Sequence, residues 1–122
     1  MGERTDLEEI LSTLSKARIT AAHESDAQEQ IAAALRGAGI ECEREVRLGE
    51  RDRVDILAGR IAIEVKTKPV SGSTLWRQVQ RYAAHEKVEA VVVASTLYRN
   101  VAGLPEELAG TPVVPVVIGR VL

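Results

Sequence analysis

Phenylalanine is absent from this chain, tryptophan occurs once and tyrosine twice. A base-stacking platform needs several aromatics on one face, so Trp76, Tyr82 and Tyr98 do not suggest one. Trp76 reads instead as a packing or interface residue. Cys42 is the only cysteine, which excludes an intrachain disulfide and a cysteine-rich zinc site. A reducing, cytoplasmic setting is the expectation. Long apolar runs are missing too. The longest uncharged stretch, Leu108 to Gly119, contains Gly110, Pro112 and Pro115 and is too short to span a bilayer. No basic and apolar leader opens the chain, so neither a secretory signal nor a membrane partner is expected. His23 and His85 have no metal-ligand spacing with each other or with Cys42, and read as ordinary surface or helix residues.

What is present is an ordinary globular balance: 122 residues, 45% hydrophobic and 28% charged. That length predicts one domain with a real core. The net charge of −2 is unevenly spread. Residues 1–43 carry 4 basic and 9 acidic side chains, residues 44–87 carry 10 and 6, and residues 88–122 carry 2 and 3. The middle third, with its excess of positive charge, is where a polyanion site is expected, set against a merely solvated mixed-charge surface.

Thr5 with Glu8 is a capping-box signature, and Leu7, Ile10, Leu11 and Leu14 follow at helical spacing, predicting a helix over 6–20. A second helix runs through Ala27, Ile31, Ala34 and Leu35 and stops near Gly37 and Gly39. Val46 and Leu48 suggest a strand. Val54, Ile56 and Leu57 lead into Ala58-Gly59, a tight two-residue connection, and Ile61, Ile63 and Val65 alternate with Ala62, Glu64 and Lys66 as a strand. A helix over 74–86 carries Leu75, Val79 and Tyr82, and Val88 to Ala94 reads as a strand buried on both faces. Leu104 to Leu108 suggests a short helix, and Val113 to Ile118 a last strand confined to an edge position or a bulge by Pro112 and Pro115. The order ααβββαβ(α)β predicts an α/β domain with a mixed sheet and helices on both faces. Its parts are an N-terminal helix extension (1–22), a central region (24–95) and a C-terminal helix and strand (96–122).

The chemistry concentrates in Asp55 and in Glu64-Val65-Lys66. If Ala58-Gly59 is the turn, Asp55 stands opposite Ala62, and Asp55, Ala62, Glu64 and Lys66 share one face. Ile56, Ile61, Ile63 and Val65 then form the core face. Two carboxylates this close repel unless something positive sits between them, and hard oxygen ligands suit Mg²⁺ or Mn²⁺. A lysine beside such an ion orients or deprotonates an attacking water, or neutralises charge on a phosphate. The competing reading is a surface ion pair on the open face of a sheet.

Asp55…Glu64-Val65-Lys66 resembles the core motif of the PD-(D/E)XK nuclease superfamily. The proline that names the motif is absent, since Val54 precedes Asp55. The helix Trp76 to Tyr82, bearing Gln78, and the Val-rich strand after it are similar to the elements that follow the motif in small restriction-type and Holliday-junction-resolvase-like members. The resemblance spans about residue 24 to residue 95. It implies a restriction-endonuclease-like fold and a hydrolase that cleaves DNA phosphodiesters with Mg²⁺ or Mn²⁺. It implies that Asp55, Glu64 and the Val65 backbone carbonyl are metal ligands, that Lys66 is the catalytic lysine, and that Gln78 is the glutamine near the active site. Gln78 lies about 60° from Leu75 around its helix, on the edge of the apolar stripe, where it either reaches over the sheet or is solvated.

Members also carry a glutamate on the first core helix. With Ile31 at about 0°, Glu24 falls near about 20°, Gln28 near about 60° and Glu29 near about 160°. Glu24 and Gln28 point with the core and Glu29 to solvent. Glu24 is favoured as the charged contributor, although a Ser25–Gln28 capping box would leave it just outside the helix. Lys68, Arg77 and Arg81 supply positive charge after the motif and are candidate phosphate contacts, or else a solvated surface. A domain this small suggests a homodimer on DNA, with the Leu7, Ile10, Leu11 and Leu14 stripe as the pairing surface or as packing on its own domain. The alternative to a nuclease is a non-catalytic nucleic-acid-binding or assembly module that keeps the fold.

Overall fold

The computed structural model describes residues 3–121, with side chains from Asp6 to Val121. Its elements are α1 (Glu3–Lys16), β1 (Arg18–Ile19), α2 (Glu24–Gly37), β2 (Glu43–Arg47), β3 (Arg53–Ala58), β4 (Ile61–Lys66), α3 (Gly72–Ala83), β5 (Ala90–Ser95), α4 (Tyr98–Val101), β6 (Glu107–Leu108), β7 (Thr111–Val117) and β8 (Gly119–Arg120). Six strands form one mixed sheet in the order β2-β3-β4-β5-β7-β6. It is antiparallel at β2–β3, β3–β4 and β6–β7 and parallel at β4–β5 and β5–β7. Among the described residues no helix is long and apolar enough to cross a membrane.

Helices cover both faces of this sheet, as the α/β reading expected. Ile10 and Leu14 of α1 and Ile31 and Leu35 of α2 pack with Ile56, Ile61, Ile63, Val65 and Val92 on one side. Leu75, Val79 and Tyr82 of α3 pack with Val54, Ala62, Val91 and Val93 on the other. β5 supplies alternate residues to each core, and all six of its residues are buried. That is the physical reason its β-branched run shows no polar alternation.

Several expectations need correction. The first helix ends at Lys16, because Arg18 and Ile19 leave it to pair in parallel with Gly119 and Arg120. The Thr5–Glu8 capping box rests on a side chain outside the described residues. The apolar stripe of α1 follows the second of its two readings and packs on its own domain, with Ile10 and Leu14 at 0% exposure and Leu7 and Leu11 packed against the same core. The turn after β3 is Gly59-Arg60 and not Ala58-Gly59. Gly59 takes the left-handed conformation (φ +62) and Ala58 stays in the strand, pairing with Ile61. The register therefore moves by two, which keeps the side chains from Ile56 onward on their expected faces but brings Asp55 level with Glu64 instead of Ala62.

Leu104 to Leu108 is not helical. The short helix lies earlier, at α4, and β6 forms a hairpin with β7 through Ala109 and Gly110. Both turn residues have positive φ, +54 and +80, as a two-residue hairpin turn of this hand requires. Only Glu107 and Leu108 cover the far side of β7, so most of that strand, Pro115 included, is an edge in practice. No atom lies within 4 Å of a Cβ built on Gly110, so a side chain there meets strain and no clash. Gly110→Ala is expected to cost about 1–2 kcal/mol and Ala109→Gly to cost nothing. Urea unfolding of the two variants checks this, and equal effects would contradict the turn geometry.

Candidate active site

The β3–β4 ladder runs from Ala58–Ile61 to Ile56–Ile63 and stops there. At the same level the β2–β3 register passes from Arg44–Ile56 to Val46–Val54 and skips the position where Glu45 faces Asp55. Glu45 has φ +54, a strained conformation for a side chain of this kind. On one side of this kink Ile56 packs toward α2, and on the other Val46, Leu48 and Val54 pack toward α3. The kink and the end of the ladder leave the Val65 backbone without a strand partner on the β3 side.

Asp55 fills part of that gap. Its Oδ2 accepts the Val65 N–H at 2.8 Å. A strand residue directs its N–H and C=O to the same side, so the Val65 carbonyl also faces the Asp55 side. Glu64 is 2% exposed, although alternation put it on a face read as open. Its Oε2 lies 3.1 Å from Lys66 Nζ, and its buried Oε1 has no hydrogen-bond partner. The pair is therefore not a surface salt bridge, because α3 covers this face as well.

Glu24, the first residue of α2, reaches the same place. Its Oε1 accepts the Thr67 N–H at 3.5 Å, just after β4, and its charge acts on Asp55. No Ser25–Gln28 capping box forms. His23 occupies the cap position without a side-chain bond, and Gln28 Oε1 instead accepts from Arg44 Nη2 at 3.0 Å. Arg44 also binds Glu29 at 3.0 Å, which gives Glu29 a partner on the sheet, although its side chain stays 55% exposed. Of the two helix candidates, Glu24 is the one whose charge reaches Asp55, and Gln28 is engaged elsewhere.

These contacts set the electrostatics. Burial, reinforced by the Asp55 charge and only partly opposed by Lys66, pushes the Glu64 carboxyl up to about 7. Burial also raises Asp55, against the pull of the Val65 N–H and Lys66. Tyr82 is raised by burial and by Glu64 beside it. Its hydroxyl donates to the Arg53 carbonyl at 3.0 Å, which leaves Glu64 Oε1 unsatisfied.

The other expected residues are dispersed. Gln78 lies one turn before Tyr82 on α3, and its buried Oε1 has no partner. Arg77 and Lys68 are exposed, and Trp76 is 40% exposed. Arg81 Nε is held by Asp52 Oδ1 at 2.8 Å, and His85 Nε2 sits 2.8 Å from Asp52 Oδ2, so His85 is a tether and not a bystander. The hydrogen bond from His85, with Arg81 beside it, holds the Asp52 carboxyl below its usual range.

Sequence reasoning missed Tyr82 as a neighbour of Glu64. It also missed Asn100, which accepts the Val70 N–H and donates to the Lys68 carbonyl, fastening the loop after Lys66. Neither carries a local signal, since both act across more than 15 residues of chain. Among the described residues no group of three or more His, Cys, Asp and Glu side chains is arranged to hold a metal ion. No family model matches the chain, and no curated protein or solved structure is significantly similar to it.

The raised Glu64 carboxyl has a defined consequence for stability. Folding favours its protonated form, so the stability it contributes is full below its ordinary value of 4.5 and is lost as pH rises to about 7. The loss is about 3 kcal/mol, and Asp55 acts in the same direction. In EDTA, thermal stability of the wild type is expected to fall across this window and that of Glu64→Gln to fall much less. Melting both proteins between pH 4 and 8 tests this, and parallel curves would rule out Glu64 as the source.

Proposed function

We propose that this chain is a metal-dependent DNA endonuclease of the restriction-endonuclease-like PD-(D/E)XK type. The observation that carries the reading is the meeting of Asp55, Glu64, Lys66 and Glu24 where the β3–β4 ladder opens, with one buried carboxylate oxygen left unpartnered. An unpaired carboxylate oxygen in a nearly dry site is costly unless a cation takes it. The donor set suits a hard divalent ion: Asp55 and Glu64 would hold Mg²⁺ or Mn²⁺, with the Val65 carbonyl on the same side and Glu24 within reach of Asp55's field. When bound, such an ion supplies Lewis-acid polarisation of a phosphodiester and acidifies water.

The chain's own residues account for the rest. Lys66 Nζ, already beside Glu64, is the group that orients the attacking water and offsets the negative charge that grows on the phosphate. Water adds to phosphorus in line with the bond that breaks, and the leaving oxygen departs with a proton. Asp55 keeps its geometry through the Val65 N–H. Lys68, Arg77 and Arg81 are the phosphate contacts of this reading, and Gln78 is its helix glutamine.

A specific observation favours a second reading. The 3.1 Å pair between Lys66 and Glu64 neutralises one carboxylate internally, as a non-catalytic nucleic-acid-binding or assembly module would require. Metal dependence separates the two. Plasmid and branched DNA are expected to be cleaved with Mg²⁺ or Mn²⁺ and to survive in EDTA. Lys66→Ala is expected to lower the rate by about 10²–10⁴-fold while keeping a metal-dependent rise in melting temperature. Asp55→Asn is expected to lose both cleavage and that rise, which in the wild type corresponds to about 2.7 kcal/mol at a hundredfold excess of metal over its Kd. A wild type that neither cleaves nor responds to metal would leave the binding module as the function.

A further inference from the structure

Beside the carboxylates lies a cleft of about 320 Å³ lined by Arg47, Arg51, Arg53, Gln78, Arg81 and Tyr82. Three different segments build it: the end of β2, the loop into β3 with its first residue, and one face of α3. Arg47 and Arg53 are direct cross-strand partners. Like charges in that position destabilise a strand pair. Asp52 is the one carboxylate that binds an arginine of the cleft, and it is engaged by Arg81 and His85, each at 2.8 Å. Arg47 reaches only the Glu50 carbonyl, at 3.2 Å. Among the described residues, Arg47, Arg51 and Arg53 have no carboxylate within 4.0 Å. The cleft thus concentrates positive charge that the fold does not neutralise.

Gln78 adds to the wall an amide whose buried Oε1 has no partner. Tyr82 joins the cleft to the reacting pair, since it lines the cleft, its hydroxyl donates to the Arg53 carbonyl and it is a neighbour of Glu64.

We propose that this cleft is a phosphate subsite that grips the DNA backbone next to the bond held at Asp55 and Glu64, with Arg47, Arg51 and Arg53 as its phosphate ligands. The subsite rests on the nuclease reading. It is sequence-independent, because contacts to phosphate fix position and carry no base information.

The test is binding of a fluorescein-labelled random-sequence duplex, by anisotropy in EDTA, across a range of KCl. The Arg47→Ala/Arg53→Ala double variant is expected to bind about tenfold to a hundredfold more weakly at low salt, with a log–log salt slope smaller by about 2. The single variant Arg51→Ala, in the exposed loop, is expected to lower the slope by about 1 and guards against a double variant that fails to fold. Arg36→Ala/Arg60→Ala removes the same charge elsewhere and is expected to keep the wild-type slope. Wild-type affinity and slope in the cleft variants, or an equal loss in the Arg36/Arg60 control, would overturn the subsite. Cleavage with Mn²⁺ is read separately. A wild type that cleaves while the cleft variants bind and cleave normally removes the subsite alone. Arginine-dependent binding by a wild type that neither cleaves plasmid or branched DNA nor responds to metal removes the nuclease reading and overturns the subsite as a part of a cleavage site, leaving the cleft as the DNA contact of the binding module.

Discussion

Two carboxylates, Asp55 and Glu64, share a nearly dry space with a single ammonium, Lys66, and the surrounding backbone is shaped by that imbalance. A buried carboxylate keeps its charge only with partners. Asp55 takes a backbone N–H as one partner, and it can do so only because the strand ladder stops one residue earlier. Glu64 has the ammonium on one oxygen and nothing on the other. The positive φ at Glu45, directly across from Asp55, is the local backbone cost of opening the sheet there.

The rest of the sheet makes this opening tolerable. β4 and β5 run parallel for their full length, and β5 is buried along all of it, so the site sits at the end of a well-supported strand pair. Covering both faces also changes the character of the charged residues. On an open sheet Glu64 and Lys66 would be solvated and ordinary, whereas α3 excludes water from them. The same helix carries Tyr82, Gln78 and Arg81, so one element dries the carboxylates and walls the arginine cleft.

The Asp52 clamp explains how a loop so rich in positive charge keeps its shape. Arg81 and His85, from α3 and the segment after it, hold the Asp52 carboxylate, and the Leu48 N–H closes on the Asp52 carbonyl at 2.8 Å. Arg51 and Arg53 flank that anchor and inherit its position.

The sequence by itself determined what depends on near neighbours. Alternation along Ile61 to Lys66 put Glu64 and Lys66 on one face, helical spacing marked Ile10, Leu14, Leu75 and Val79 as core, and the phase of α2 placed Glu24 with the core side. The surplus of positive charge in residues 44–87 was legible, but not the gathering of Arg47, Arg51 and Arg53 into one cleft. Tertiary structure decided everything that turns on a choice between distant partners. Which residue enters the left-handed turn, Gly59, set the register and so the meeting of Asp55 with Glu64. Capture of Gln28 by Arg44, 16 residues away, left Glu24 as the helix carboxylate at the site. Pairing of Arg18 with Gly119 ended the first helix early, and pairing of Arg47 with Arg53 gathered the arginines. Periodicity is a property of a few consecutive residues, whereas pairing is a competition among surfaces that meet only after the chain has folded.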